Sequence, residues 1–517
     1  MIATWNTTDR TRWAAPAVAG ILALLALVLG LRGVDWPAQL YRVQLFRHHG
    51  WLSFDTSWYG GHYPLAYSLL FPPLAATIST PVLAIASAVA AAWGFDRLVC
   101  EEFGHSGRIG SLLFATGTVV QVAVGQLPFL LGLAFAILAV LAARRGHWRW
   151  AALAAIAAPL ASPVAAVFLV LVAAAWAATT APSKRLQPIL LAVAALVPGL
   201  IVTGLYRQLG NFPFPASGLI CVLLACAAAQ LVLPARHRGL RLGAALYAAG
   251  AIVAFLVPTP VGGNVSRLGA SLGVPLLAAA VRPGRRLLAA AVAIPLLAWQ
   301  WTPAFGAVTV HDASSHAAYF APLVAELKRV SPGPTRLEIP FTRDHWEVIR
   351  VAPAVPLARG WYRQLDIADN GLFYQPNGVT AASYRTWLDS NGITLVALPD
   401  VPLDYSSTGE AALLKTPPAY LQPVWHNQHW QLWRVAGSPG LASGVGRLVS
   451  LEPGEFTVDA QEKGDAIVRV RYTPTWSITS GLACLAITPD GWTIVRAQGP
   501  GLIRVQAGLM PSGASAC

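Results

Sequence analysis

The chain has 517 residues, of which only 11% are Asp, Glu, Lys or Arg while 55% are hydrophobic, and its mean hydropathy is +0.54. Soluble globular proteins carry about 25% charged residues, so this composition excludes an ordinary soluble enzyme. The formal net charge of +13 arises in the first 302 residues, which hold 20 basic and 6 acidic residues. These charges stand in short clusters between apolar runs, which is typical of membrane-protein loops and excludes nucleic acid as a partner.

The apolar runs predict a polytopic α-helical membrane protein with about eleven transmembrane helices. The first run follows Arg10 and Arg12 and shows no cleavage site, so we expect a retained helix. Within residues 150–178 the first piece would cover only roughly 17 Å of a ~30 Å hydrocarbon core. We therefore predict two helices there, broken around Pro159, Ser162 and Pro163. The runs are residues 14–31, 82–99, 109–124, 127–143, 150–160, 163–178, 189–206, 218–233, 242–257, 268–281 and 287–301.

The basic residues also predict the orientation. With the N-terminus in the cytoplasm, 15 Lys and Arg residues of the membrane part fall on the cytoplasmic side and 5 outside. Basic loops are retained in the cytoplasm during insertion. We expect a multi-pass protein of the plasma (inner) membrane whose C-terminal part lies outside the cytoplasm.

After residue 302 the apolar runs stop and strand patterns begin. Residues 336–340, 393–399 and 430–435 predict strands, and residues 384–391 predict a helix, so residues 303–437 are interpreted as an extracytoplasmic α/β domain. Short strand patterns at 467–472, 481–488, 492–496 and 502–508 predict a β-sandwich over residues 438–517. Residues 1–302 form the transmembrane domain, with a long first external loop over residues 32–80.

Cysteines add one expectation. Cys484 and Cys517 are the only two of the five that this topology places outside, where an oxidising compartment favours a disulfide. A free thiol at Cys517 is the alternative.

The long first loop carries the candidate chemistry. Asp35 can cap a helix whose first turn tolerates Pro37, and Trp36, Val43 and Phe46 would share one face of it. We expect that helix to lie along the membrane interface. The Gly-rich and Pro-rich stretch that follows predicts a re-entrant or second interfacial element.

Two acidic residues of the transmembrane domain, Asp35 and Asp55, face outside. Either carboxylate could take a proton from a sugar hydroxyl that attacks an anomeric carbon. For Asp35, a purely structural role as helix cap is the alternative.

Other residues of the outside loops suit a phosphate-linked sugar. Guanidinium groups bind phosphate, although salt bridges and lipid headgroups are equally good partners for them. Aromatic rings stack on sugar faces, but they also gather at membrane interfaces. The candidates are Arg267, Arg207 and Arg42 for phosphate, and Trp58, Tyr59, His62 and Tyr63 for sugar or acceptor.

A divalent metal is the less favoured alternative. His48, His49 and His62 lie near Asp55, but no tight ligand spacing supports a metal there, so no cofactor is expected. In the C-terminal part, Trp361, Tyr362, Arg363 and Asp366 could face a substrate or could simply pack.

Together, these features resemble the GT-C superfamily of membrane glycosyltransferases. The shared features are an Asp directly after the first transmembrane helix, interfacial elements, a multi-helix membrane domain and an external C-terminal domain. Several stretches are similar to bacterial, actinobacterial-type GT-C-like membrane proteins. They are Trp58-Tyr-Gly-Gly-His-Tyr-Pro with Phe71-Pro-Pro73, Pro260-Val-Gly-Gly-Asn264-Val-Ser-Arg267, Ala358-Arg-Gly-Trp-Tyr-Arg-Gln-Leu-Asp366, and Tyr384-Arg-Thr-Trp-Leu before Val396-Ala-Leu-Pro.

The resemblance implies an inverting transferase that moves a sugar from a polyprenyl-phosphate donor to a cell-envelope glycan or glycolipid on the extracytoplasmic face. Asp35 matches the family's catalytic Asp, with Asp55 as a second candidate, and Asn264, in one of the shared stretches, is a further candidate for binding sugar or acceptor. The paired acidic motif of some members is absent from this sequence. The alternatives are a transporter or lipid flippase, and a non-catalytic envelope scaffold of the same fold.

Overall fold

The computed structural model describes residues 13–208, 210–281, 283–309, 312–511, 513 and 515–517. The protein is mostly helical, with a β-sheet region in its C-terminal part. Contacts between Cα atoms divide the chain into two compact units. The first unit comprises Met1–Gln39, Tyr67–Gly204 and Asn211–Val310, and the second comprises Leu40–Ala66, Leu205–Gly210 and His311–Cys517. The first loop, which the sequence assigned whole to the transmembrane domain, is therefore divided between the two units.

Each of the eleven predicted apolar runs overlaps a helix. The predicted interruption within residues 150–178 is present: one helix ends at Ala161, Ser162 is extended, and the next helix begins at Pro163. The helices are α1 (Ala14–Val28), α2 (Trp36–His49), α3 (Phe71–Ile78), α4 (Thr80–Phe103), α5 (Gly107–Val124), α6 (Leu127–Arg144), α7 (Trp148–Ala161), α8 (Pro163–Thr179), α9 (Leu186–Leu205), α10 (Ala216–Val232), α11 (Arg238–Leu256), α12 (Ser266–Ala280) and α13 (Arg286–Thr309).

Several of these helices have the length and composition of membrane spans. Among the described residues, 5 helical segments qualify, and 4 further apolar helices are only 10–17 residues long. A count of eleven spans remains a prediction. The long segments are Thr80–Val124, Leu127–Arg144, Leu186–Leu205, Arg238–Leu256 and Arg286–Val308, and the shorter helices are α1, α7, α8 and α10.

Small side chains let the helices of the first unit approach closely. Helices α6, α7 and α8 pack through alanines, and Ala139, Ala155 and Ala173 are fully buried there. Since lipid offers no hydrophobic gain for association, close van der Waals packing of small residues is the usual basis of such contacts.

Helix α2 differs from the predicted interfacial helix. Its polar residues Gln39 and Arg42 are buried, as are its apolar residues Trp36 and Val43. Only its last residues, Arg47 to His49, are exposed. The helix therefore lacks the solvated polar face on which the interfacial assignment depended.

The first sheet of the second unit joins four strands in the order β1-β2-β4-β3, where β1 is parallel to β2 and the other pairs are antiparallel. Its apolar core includes Val396, Trp433 and Leu388. The strands are β1 (Leu337–Glu338), β2 (Leu395–Pro399), β3 (Leu421–His426) and β4 (Trp430–Val435), and the helices are α14 (Ala317–Val330), α15 (Glu347–Arg350), α16 (Arg363–Asp369), α17 (Ala381–Ser390) and α18 (Thr408–Leu414).

Two further sheets of four strands follow, in the orders β10-β11-β8-β5 and β6-β7-β12-β9. Residues from both, such as Val468, Val495 and Val505, form one buried cluster, as in a β-sandwich. The strands are β5 (Ala442–Gly444), β6 (Gly446–Glu452), β7 (Glu455–Ala460), β8 (Gly464–Arg471), β9 (Trp476–Ser480), β10 (Ala483–Ile487), β11 (Trp492–Ala497) and β12 (Gly501–Ala507).

Residues 40–66 are tied to these sheets by backbone hydrogen bonds. The amide of Leu357 donates to the carbonyl of Ser57 at 2.8 Å, and the amide of Arg471 donates to the carbonyl of Gly60 at 2.8 Å. Gly60 has a φ of +74°. A Cβ there would meet the rings of Trp492, so glycine suits both the conformation and the close approach.

A disulfide joins Cys484 in β10 to Cys517, 33 residues later in the sequence. We expect replacement of both cysteines by serine to lower the free energy of unfolding by about 3–4 kcal/mol, because the closed loop restricts the unfolded chain. Denaturant unfolding of the purified protein measures this. The control is Cys221→Ser, since Cys221 is a free thiol. Two free thiols in unreduced peptides, found by mass spectrometry, would contradict the disulfide.

Candidate functional site

The turn after α1 is held by the C-terminal end of α5. The amides of Gly33 and Asp35 donate to the carbonyls of Ala123 and Val124 at 2.8 and 3.0 Å. The indole Nε1 of Trp36 donates to the carbonyl of Val122 at 2.7 Å. The last carbonyls of a helix have no partner within it, so this turn satisfies three of them. The position of Asp35 is thereby fixed by three hydrogen bonds.

Gly125 makes this approach possible. It ends α5 with a φ of +94°, the left-handed conformation common at helix C-termini. A Cβ at Gly125 would lie against the backbone of Asp35 and Trp36. Any larger residue would therefore push the turn, and Asp35 with it, away from α5.

Asp35 lies beside Arg267, which belongs to the first turn of α12. Asp35 Oδ2 is 4.0 Å from Arg267 Nη2, and 11% and 18% of the two side chains are exposed. The guanidinium carbon lies 5.4 Å from the ring centre of Phe129. The structure thus brings together the predicted base and the first of the predicted phosphate ligands. The carboxylate can accept a proton and the guanidinium can bind an anion, within one partly open site.

The start of α12 is itself anchored. The hydroxyl of Tyr247 donates to the carbonyl of Val265 at 2.7 Å and accepts from the amide of Gly269 at 2.9 Å. Asn264 is half-buried in the 3₁₀ turn Gly262–Val265, three residues before Arg267. The fold therefore positions Arg267 and Asn264 on one anchored turn.

Asp55 has a different environment, inside the second unit. Its side chain is fully buried, and it accepts hydrogen bonds from the Tyr41 hydroxyl at 2.8 Å and from the Ser57 amide at 3.0 Å. Burial, and then the charge of Asp55, raise the pKa of Tyr41 well above its usual value, so Tyr41 stays a donor. These contacts make Asp55 a structural acceptor, which corrects its assignment as a second candidate base.

His62 lies 3.7 Å from Asp55, measured from Nε2 to Oδ2. Burial lowers the pKa of His62 to about 4, although the nearby Asp55 carboxylate opposes that shift. The imidazole is therefore neutral at physiological pH. It stacks on Trp58 with ring centres 4.9 Å apart.

The aromatic residues predicted to stack on sugars are packed inside the second unit. Trp58, Tyr59 and His62 are at most 3% exposed. The Tyr59 hydroxyl donates to the carbonyls of Gly360 and Tyr362. Their ring faces contact protein, which corrects their assignment as a sugar platform. The sequence could not distinguish the two roles because aromatic residues serve both.

The remaining candidates do not join one site. Tyr63 is half-buried and donates to Thr473 Oγ1 at 2.9 Å. Arg42 is buried; its Nε donates to the Tyr362 hydroxyl at 3.3 Å and its guanidinium lies 5.0 Å from the ring centre of Trp361. Arg207 is exposed. Arg42 thus serves packing, and only Arg267 lies beside a candidate base.

Among the described residues, no group of three or more His, Cys, Asp and Glu side chains is arranged to hold a metal ion. His48 and His49 are exposed at the end of α2, whereas His62 and Asp55 are buried. These four residues therefore do not form a common ligand set.

One cluster that sequence reasoning missed lies around Arg359 in the second unit, where Glu338 and Glu410 are buried. Its sequence signal was Glu338, a charged residue inside the apolar strand pattern 336–340. The stretch Ala358–Asp366 is one of those similar to GT-C-like proteins, and its residues were expected to face a substrate or to pack. In the structure, Arg359 and Asp366 form a buried ion pair instead.

No protein-family model matches the chain, and no curated protein matches it. The roles of Asp35, Arg267 and Asp55 are therefore argued from their contacts.

The burial of Asp55 predicts a stability effect. We expect Asp55→Ala to lower the free energy of unfolding by about 2–4 kcal/mol, because it leaves the buried Tyr41 hydroxyl and Ser57 amide without an acceptor. Chemical denaturation followed by tryptophan fluorescence measures this. Asp459→Ala is the control, since the side-chain partners of Asp459 are the exposed Arg447 and Gln461, and we expect a change below about 1 kcal/mol. Equal effects of the two variants would show that Asp55 is not a structural acceptor.

Proposed function

We propose that the protein is a GT-C-type, inverting membrane glycosyltransferase that transfers a sugar from a polyprenyl-phosphate donor to an envelope glycan or glycolipid. The observation that carries the proposal is the pairing of Asp35 with Arg267 in the first unit, at 4.0 Å, with 11% of the Asp35 side chain and 18% of the Arg267 side chain exposed. The apolar helices support a membrane location for donor and product.

In this proposal an acceptor hydroxyl attacks the anomeric carbon, and the bond from that carbon to the phosphate oxygen breaks. Asp35 takes the hydroxyl proton as general base. The polyprenyl phosphate leaves with the bonding electron pair, and Arg267 stabilises its charge through hydrogen bonds. Asn264, on the same anchored turn as Arg267, is a candidate contact to the sugar. No diffusible cofactor is needed, because the lipid phosphate is the leaving group.

Two comparisons favour Asp35 over Asp55 as the base. Asp55 is fully buried and accepts hydrogen bonds from two protein donors, whereas 11% of the Asp35 side chain is exposed. In addition, Asp35 lies beside a cation suited to phosphate, and Asp55 lies beside a neutral imidazole. A base must reach substrate, so exposure decides between the two.

A non-catalytic scaffold is the second candidate, and one observation favours it. The Asp35–Arg267 contact is itself an ion pair, and such a pair can serve structure alone by holding α12 near the end of α5. The response to isosteric substitution separates the two functions.

We expect Asp35→Asn to lower sugar transfer by about 10²–10⁴-fold while the protein remains folded, because asparagine keeps the size of the side chain but cannot take the proton. Arg267→Lys should lower transfer by about tenfold or more, since lysine cannot form paired hydrogen bonds to phosphate. The assay uses reconstituted protein with purified lipid-linked donors. Asp465→Asn, which alters an exposed pair with Arg496 in the sandwich, is the matched control. If Asp35→Asn keeps more than about a tenth of wild-type turnover, Asp35 is not the base and the scaffold is favoured.

The proposed orientation has its own test. We expect an impermeant thiol reagent to label Ser480→Cys and not Ser183→Cys in intact cells whose outer barrier is opened, because residues 182–185 belong to the cytoplasmic basic clusters. Both serines are exposed in the fold, so accessibility within the protein is matched. Labelling of Ser183→Cys alone would invert the topology.

A further inference from the structure

The α/β part of the second unit buries an excess of acidic groups. Five carboxyl groups lie together with two guanidinium groups and one imidazole, and all are largely shielded from water. An isolated buried charge is strongly unfavourable unless it is paired or neutralised. The acidic members are Glu338, Glu347, Asp366, Asp404 and Glu410, and the basic members are Arg359, Arg363 and His345.

The two guanidinium groups are each committed to one aspartate. Arg359 donates to both oxygens of Asp366, at 3.1 and 2.6 Å. Arg363 donates to both oxygens of Asp404, at 2.9 and 2.7 Å. These bidentate pairs account for the charge of both arginines. The glutamates must be stabilised in another way.

Glu338 of β1 is the least well satisfied member. Its side chain is 1% exposed and its nearest cation is Arg359 Nη1, 3.8 Å from Oε1. Among the described residues, no N–H group and no hydroxyl group donates to either carboxyl oxygen of Glu338. At that distance the guanidinium offsets little of the cost of burying a carboxylate.

Glu410 of α18 shares the same nitrogen. Its Oε2 lies 3.6 Å from Arg359 Nη1, and its Oε1 accepts a hydrogen bond from the Tyr384 hydroxyl at 2.6 Å. A single Nη1 group thus stands between two buried carboxyl groups, and its nearest hydrogen-bond acceptor is Ser407 Oγ at 3.4 Å. One guanidinium nitrogen cannot neutralise two ionised carboxylates, so this arrangement favours the protonated form of one of them.

We propose that Glu338 and Glu410 form a proton-dependent latch, in which a shared proton keeps helix α18 against strand β1 and its loss at alkaline pH releases the helix. The latch is independent of the proposed transferase function, because it rests on residues of the α/β sheet alone.

The electrostatics of the neighbouring groups agree with this. Burial raises the pKa of Glu338 well above its usual value, and the charge of Glu410 raises it further, while Arg359 opposes the shift. Burial likewise raises the pKa of Glu410 to about 7, against the effects of Arg359 and the Tyr384 hydrogen bond. Asp366 also raises both pKa values, and Glu347 raises that of Glu338.

The other buried charges of the cluster include His345, Glu347 and Asp404, of which Glu347 acts electrostatically on Glu338. Burial lowers the pKa of His345, but the carboxylates of Asp404 and Glu347 raise it by more, so the net shift is upward. His345 lies 3.6 Å from Glu347 and 3.8 Å from Asp404. His345 and Arg363 thus lie against Glu347 and Asp404, whereas Glu338 and Glu410 share the Nη1 group of Arg359.

The sign of the pH dependence follows. An acid whose pKa is higher in the folded than in the unfolded state binds more protons when folded, so stability falls as pH rises. For Glu410 this loss begins above its unfolded pKa near 4.5 and continues through about 7. Glu338 contributes a loss of the same sign, because its pKa is also raised. Both losses act on the contact between β1 and α18.

Hydrogen exchange of the full chain in detergent tests the latch. After correction for the intrinsic pH dependence of exchange, we expect the exchange rate of amides in Thr408–Leu414 to rise at least about tenfold between pH 6 and pH 8, since one extra bound proton changes the opening equilibrium tenfold per pH unit. A rise below about twofold in the wild-type protein overturns the proposal without any variant.

Substitutions test whether Glu338 and Glu410 cause the pH-dependent rise in the exchange rate. Glu338→Gln and Glu410→Gln each place a neutral side chain of the same size, so either should remove most of the rise. Glu455→Gln, at the surface pair with Arg504, should keep it. An infrared difference spectrum at pH 7 should show a protonated-carboxyl band in wild type that Glu338→Gln lacks. A rise that survives in both glutamine variants, or no such band, would overturn the latch.

Discussion

The candidate site depends on how helix α5 ends. Its last carbonyls need donors, because apolar surroundings supply none, and the turn after α1 provides them from Gly33, Asp35 and Trp36. The same three contacts hold the carboxylate of Asp35 where the first turn of α12 presents Arg267. The position of a candidate base is therefore a by-product of satisfying a helix terminus. Gly125 and Gly33 both leave room for this close approach, because a Cβ at Gly125 would meet the backbone of Asp35 and Trp36 and a Cβ at Gly33 would meet the backbone of Ala123 and Val124.

Much of the helical architecture was accessible from the sequence. Long apolar runs can bury their backbone polar groups only as helices, and the break at Ser162 was visible because Pro163 cannot continue a helix that precedes it. The strands around Val396, Val468 and Val495 were recognisable from their apolar alternation. The sequence patterns missed strands β3, β5, β6, β7 and β9. Four of them, all except β7, lie at a sheet edge, and β3 and β6 have few buried residues, so their apolar patterns are weak.

The sites were less predictable, because burial is a property of the folded chain. The sequence contains an aromatic and acidic motif of the kind that binds sugars, made of Trp58, Tyr59, His62 and Asp55. The motif has the same sequence whether its side chains are exposed to solvent or buried. In the fold these side chains are buried by residues such as Tyr362, whose hydroxyl accepts a hydrogen bond from Arg42, 320 residues away in the sequence. No local pattern contains that information. The sequence likewise identified Asp35 and Arg267 as separate candidates but did not predict that they lie side by side.

The second unit is assembled from separate segments of the chain, and this constrains the order in which it can fold during synthesis. Its residues come from three separate stretches, Leu40–Ala66, Leu205–Gly210 and His311–Cys517. During synthesis the first stretch must wait, with Trp58 and Asp55 uncovered, until the last has emerged from the ribosome. Closure across so many residues is slow for an ordinary domain. A fragment that begins at residue 312 would lack the segment that accepts hydrogen bonds from the amides of Leu357 and Arg471, so its sheets would lose both contacts.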